Sequence, residues 1–92
     1  MKDEANKTLK DFREAAKLTQ SELASLMGLG NSAYQDLESG FSKFKPRHLM
    51  VLERVSLKLA VEREDIALAL PSIRRDALDL AGMIRGKDKT AA

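Results

Sequence analysis

Two short amphipathic segments meet across Gly28-Leu29-Gly30, and so short a connection fits two helices crossing at a steep angle and little else. The first segment opens at Thr19-Gln20-Ser21-Glu22, where Thr19 can cap the backbone N–H of Glu22 while the Glu22 carboxylate reaches back to the N–H of Thr19. Leu23, Ala24 and Met27 give it a core-facing edge. Gly28 ends it, because glycine takes the left-handed conformation without a Cβ clash. The second segment carries Ala33, Tyr34 and Leu37 on one face and Asn31, Ser32 and Gln35 on another, and stops at Gly40. The small Ala24 and Gly28 are expected to let the two helices approach closely. Tyr34 is expected in the core with its hydroxyl wet.

The flanking sequence reads as further helices. Leu9, Phe12, Arg13 and Ala16 recur at three- and four-residue spacing, which predicts a first helix over about Lys7 to Leu18 behind a disordered tail, 1–6. Phe41 to Lys45 reads as loop, and Pro46 suits the first position of a fourth helix whose inward residues are Leu49, Leu52, Val55 and Leu59. Glu62-Arg63-Glu64-Asp65 places acids where a fifth, short helix to about Leu70 would begin. Beyond Pro71, the stripe Ile73, Ala77, Leu80 and Ile84 predicts a C-terminal helix over 71–85, followed by a frayed tail, 86–92. Residues 7–70 thus form one domain, and 71–85 are a candidate dimerisation element.

Bulk properties exclude several classes. A chain of 92 residues supports one modest core, and 43% hydrophobic with only 4% aromatic residues favours helices over a sheet. With no Cys there is neither a disulfide nor a thiolate site, and the single histidine, His48, has no converging ligands at metal spacing. No catalytic group, cofactor or metal is therefore expected. No apolar run approaches a membrane span and the polar opening is unlike a signal peptide, so the reading is soluble and cytoplasmic. A net charge of +2 implies nothing by itself, but Lys43, Lys45, Arg47, Arg54 and Lys58 face one acid, Glu53, in a local basic patch.

The run from Leu18 to Ala33, Leu-Thr-Gln-Ser-Glu-Leu-Ala-Ser-Leu-Met-Gly-Leu-Gly-Asn-Ser-Ala, resembles the helix-turn-helix of the lambda repressor and Cro family. The likeness extends from Leu9 to about Ile66 and includes Arg13, Leu37-Glu38-Ser39-Gly40 and Lys45-Pro46-Arg47. The resemblance implies an all-α fold: a lambda-repressor-like five-helix DNA-binding domain, here with an additional C-terminal helix. By the same resemblance, Asn31, Ser32, Gln35 and Asp36 read bases. Gln20 contacts a phosphate and braces Asn31, while Lys43, Lys45 and Arg47 meet the DNA backbone. Arg13 and Glu38 form a structural ion pair. Chemistry supports the base readers independently, since an amide pairs bidentately with adenine and a hydroxyl serves several bases. Gly30 stands where a capping serine is frequent, and the acidic Asp36 suits only a donor such as a cytosine amino group.

The expected function is a non-enzymatic, sequence-specific transcription regulator associated with the nucleoid. It would act as a homodimer on double-stranded DNA, repressing its own promoter from a pseudo-palindromic operator. Leu70, Ile73, Ala77, Leu80 and Ile84 are the expected dimer contacts. The alternatives are an antitoxin-type protein that grips a small protein partner through its last helices, and a controller-type activator or repressor. A protein-binding adaptor without DNA affinity is a further rival, disfavoured by the basic patch.

Overall fold

Five helices and one 3-10 turn make up the described residues, in a computed structural model that describes the backbone of residues 4–91 and the side chains of residues 6–85. They are α1 (Glu4–Ala15), α2 (Gln20–Met27), α3 (Asn31–Ser39), α4 (Pro46–Glu62), the 3-10 turn Ile66–Leu68 and α5 (Pro71–Ala91). Among the described residues the fold is all-α, as the sequence predicts.

Local chemistry accounts for the central pair. At the start of α2, the Glu22 N–H donates to Thr19 Oγ1 at 3.1 Å and the Thr19 N–H donates to Glu22 Oε1 at 2.8 Å, satisfying two donors that a helix end leaves open. At its end Gly28 takes φ +74°, and the N–H groups of Gly28 and Leu29 close onto the carbonyls of Ser25 and Ala24 at 3.1 and 2.8 Å. A Cβ built on Gly28 meets no atom within 4 Å, so the glycine is required by its backbone conformation and not by close helix approach. Ala24 is buried in the core that α2 shares with its neighbours. Gly30 starts α3 in extended conformation with no side chain to cap it, and Ala33, expected inward, is exposed.

Two helix ends differ from the sequence reading for one shared reason. α1 stops at Ala15 instead of Leu18, with Lys17 at φ +58° and the N–H of Leu18 on the Arg13 carbonyl at 3.0 Å. α4 runs through Glu62, with Glu64 at φ +53° and the N–H of Asp65 on the Ala60 carbonyl at 2.9 Å. Both are left-handed helix stops built on a charged residue where glycine is the usual signal. The acids of 62–65 therefore close α4, and the expected fifth helix reduces to the single turn Ile66–Leu68, capped by Asp65.

The ends of the chain differ too. α1 begins at Glu4, inside the expected tail; Asn6 is buried, and its amide donates to the carbonyls of Leu37 and Ser42. Residues 1–3 lie outside the described residues. α5 continues to Ala91 through the segment expected to fray, and Ala92 lies outside the described residues.

Leu9, Phe12, Leu23, Tyr34, Leu37, Phe44, Leu52, Val55 and Leu59 form one core shared by α1 to α4. Leu70, expected at a dimer interface, is 8% exposed and belongs to this core, while Ile73 packs against it. The docking is polar as well as apolar: the buried Ser56 hydroxyl donates to the Glu53 carbonyl at 2.8 Å and accepts from the Leu70 N–H at 3.1 Å. Arg74 donates to the carbonyls of Ala67 and Ala69. Past Ala77 the helix outruns its support, leaving Leu80 and Ile84 59% and 55% exposed in a molecule 54 × 21 × 19 Å across.

Because space is free around Gly28, the cost of substitution there is conformational. Gly28→Val should lower stability by about 1–3 kcal/mol and Gly28→Asn by clearly less, since asparagine tolerates the left-handed region. Thermal melts of the two variants check this, and equal losses would contradict it.

Candidate nucleic-acid interface

Behind the outer face of α3 lies a polar node that joins three helices. Arg13 of α1 meets Glu38 of α3 through two parallel bonds, Nε to Oε2 at 3.0 Å and Nη2 to Oε1 at 2.9 Å, and its Nη1 donates to the Leu18 carbonyl at 3.1 Å. Gln20, the first residue of α2, donates from Nε2 to Glu38 Oε1 at 3.3 Å. Burial by itself would push the Glu38 carboxyl up, but the bonds it accepts, those from Arg13 foremost, outweigh burial and hold it below its ordinary value. The node fixes the rotation of α3, because Glu38 lies on the inner face with Tyr34 and Leu37.

Tyr34 is fully buried beside this pair, and its hydroxyl has no hydrogen-bond partner, in contrast to the wet hydroxyl expected. Burial, and then the nearby Glu38 carboxylate, push the phenol pKa up.

With Tyr34, Leu37 and Glu38 inward, the helical repeat turns Asn31, Ser32, Gln35 and Ser39 outward, and all four are exposed. The side chains of Asn31, Ser32 and Gln35 make no intramolecular hydrogen bond, so their donors and acceptors are open to another molecule. Asp36, half-buried, sits at one edge of this face, where it lines a cleft with Ala33, Lys43, Lys45, Arg47 and His48.

That cleft is shaped by the start of α4. Pro46 occupies the first helical turn, and the N–H of Lys45 donates to His48 Nδ1 at 2.8 Å, so the imidazole takes the part an N3 glutamate usually plays. The Phe44 ring, buried in the core, lies 5.7 Å from the His48 ring. Burial first, and then Arg47 and Lys45, hold the His48 pKa below its usual value, which keeps Nδ1 free to accept.

A family model described as helix-turn-helix matches residues 9–55, just over half of the chain. The protein belongs to the helix-turn-helix family of lambda repressor and Cro type. Comparison with curated proteins and with solved structures finds no significant match. As a member of this family it is a DNA-binding transcriptional regulator with a lambda-repressor-like fold. No helix among the described residues is long and apolar enough to cross a membrane.

Three placements refine the reading of this helix-turn-helix. The Gln20 amide donates to Glu38, and so ties the first turn of α2 to α3 through the ion pair. The basic run divides: Lys43, Lys45 and Arg47 line the cleft beside α3, whereas Arg54 and Lys58 line a separate groove with Leu26 and Glu62 between α2 and α4. A second cleft borders α3 on its other edge, lined by Lys10, Gln20, Gln35, Glu38 and Ser39. Lys10 lies on α1, and tertiary packing alone brings it to a cleft with Gln20 and Gln35.

A buried hydroxyl without a partner contributes desolvation cost and no bond. Tyr34→Phe should therefore leave the melting temperature unchanged or raise it, and a loss above about 1 kcal/mol would show that the hydroxyl is bonded in solution.

Proposed function

We propose that this regulator recognises a pseudo-palindromic operator as a homodimer, with α3 in the major groove, and represses by occupying a promoter. The observation that carries this reading is the outer face of α3, where Asn31, Ser32 and Gln35 are exposed without intramolecular partners on a helix held by the Arg13–Glu38 pair. Uncommitted amides and hydroxyls on a rigid helix suit base edges, and each good pairing discriminates by about 1–3 kcal/mol. Asp36 lines one cleft with Lys43, Lys45 and Arg47, and a carboxylate at that position suits a cytosine amino group as its donor. The three cations set register and salt dependence through phosphates. No role in this reading calls for a catalytic step.

A second copy is the partner assigned to α5. One such domain buries only about 600–1,000 Å² on DNA, and two half-sites about one helical turn apart supply the missing affinity. Ile73 begins the stripe against the protein's own core, Ala77 is half-buried, and Leu80 and Ile84 continue it exposed. The same exposed residues are what a small protein partner would engage in an antitoxin-type protein.

Asn31→Ala should relax sequence preference, whereas Lys45→Ala should weaken binding to every duplex and reduce the salt slope by about one. Fluorescence-anisotropy titrations against the DNA upstream of the gene and a scrambled duplex distinguish these, and equal losses on both duplexes for Asn31→Ala would remove it as a base reader. Sedimentation at tens of micromolar should show a dimer that becomes a monomer in the Leu80→Glu, Ile84→Glu double variant. A wild-type monomer would contradict the homodimer.

A further inference from the structure

We propose that the cleft between α3 and the start of α4 reads 5-methylcytosine in duplex DNA, with the Asp36 carboxylate accepting from the exocyclic amino group and Ala33 meeting the 5-methyl group. The inference rests on the reading of α3 as a major-groove helix. It begins from two observations on one edge of that helix. Ala33 is exposed, and together with Leu29 and Leu37 it gives the cleft an apolar lining. Asp36 is half-buried in the same cleft, and among the described residues its carboxylate takes part in no ion pair and accepts no hydrogen bond, although Lys43, Lys45 and Arg47 also line the cleft.

An apolar lining and an open acceptor side by side select among base edges. Ala33 and Asp36 are three residues apart on α3, which puts their Cβ atoms about 5–6 Å from each other, and helical side chains lean toward the preceding turn, so Asp36 leans toward Ala33. In the major groove, cytosine offers an amino donor but no methyl. Thymine offers the methyl, but its O4 is an acceptor and faces a carboxylate that can only accept. Purines present N7, another acceptor, and no methyl. 5-Methylcytosine carries the methyl and the amino donor on adjacent ring atoms, and so satisfies both halves of the cleft at once. An unmethylated cytosine would leave the Ala33 side of the cleft against water.

The test selects duplexes with the full chain from a randomised pool prepared once with cytosine and once with 5-methylcytosine in its place. The methylated pool should yield a site with a 5-methylcytosine at one position of each half. Plain cytosine at that position should weaken wild-type binding about fourfold, the worth of one buried methyl group. Thymine there should weaken it about tenfold, although the methyl is kept. Ala33→Ser should lose the preference for the methyl while still favouring cytosine over thymine. Asp36→Asn should do the reverse, because its amide donates to O4 as readily as it accepts, and circular dichroism melts show that both variants are folded. Equal wild-type binding of methylated and plain duplexes would overturn this inference while leaving the groove reading intact, and a methyl preference that survives Ala33→Ser would overturn it as well. Enrichment of no sequence from either pool would overturn both.

Discussion

The bidentate Arg13–Glu38 pair is the constraint on which the orientation of α3 depends. Paired charges under cover add little net stability, because their attraction is offset by the water they give up. Their value here is geometric. Glu38 belongs to α3, Arg13 to α1, and Gln20 to the first turn of α2, so a single carboxylate ties three helices at defined angles. Tyr34 and Leu37 pack on the same side of α3, and with that side committed the outward position of Asn31, Ser32 and Gln35 follows from the helical repeat.

Around this node the backbone does the remaining positioning. The α2–α3 corner is set by the left-handed Gly28, and the α3–α4 loop is closed by the bond from Lys45 to His48. Asn6 ties the start of α1 to the end of α3 and to the loop beyond it. The cations of the loop are therefore held relative to α3 from two directions. α5 stands apart from this arrangement, docked through Leu70, Ile73 and Arg74 and projecting beyond.

Elements announced by local chemistry were legible in the sequence. The Thr19–Glu22 box, the glycine stops at Gly28 and Gly40 and the proline at Pro46 each correspond to a helix boundary in the structure. What was not legible lies where a local signal was missing or ambiguous. Lys17 and Glu64 adopt a conformation that sequence assigns to glycine, so the pattern alone carries α1 on to Leu18 and makes the acids closing α4 the start of another helix. Asn6 lacks any local sign of burial, since its partners, Leu37 and Ser42, are more than thirty residues away. The same applies to the site. Family resemblance marked Gln20 and the loop cations, but the bond from Gln20 to Glu38, the division of the basic run and the place of Lys10 are products of tertiary packing.

The central claim is that the outward face of α3, between its two clefts, is the surface that meets DNA. The most direct test is an NMR titration of isotopically labelled protein with a duplex at low salt, following each backbone amide and the Asn31, Gln35 and Gln20 side-chain amides. The account predicts that shifts concentrate in residues 31–36 and 43–47, while those of α5 beyond Ala77 stay in place. Shifts confined to α5, or to the Leu26–Lys58 groove, with α3 unmoved would contradict it.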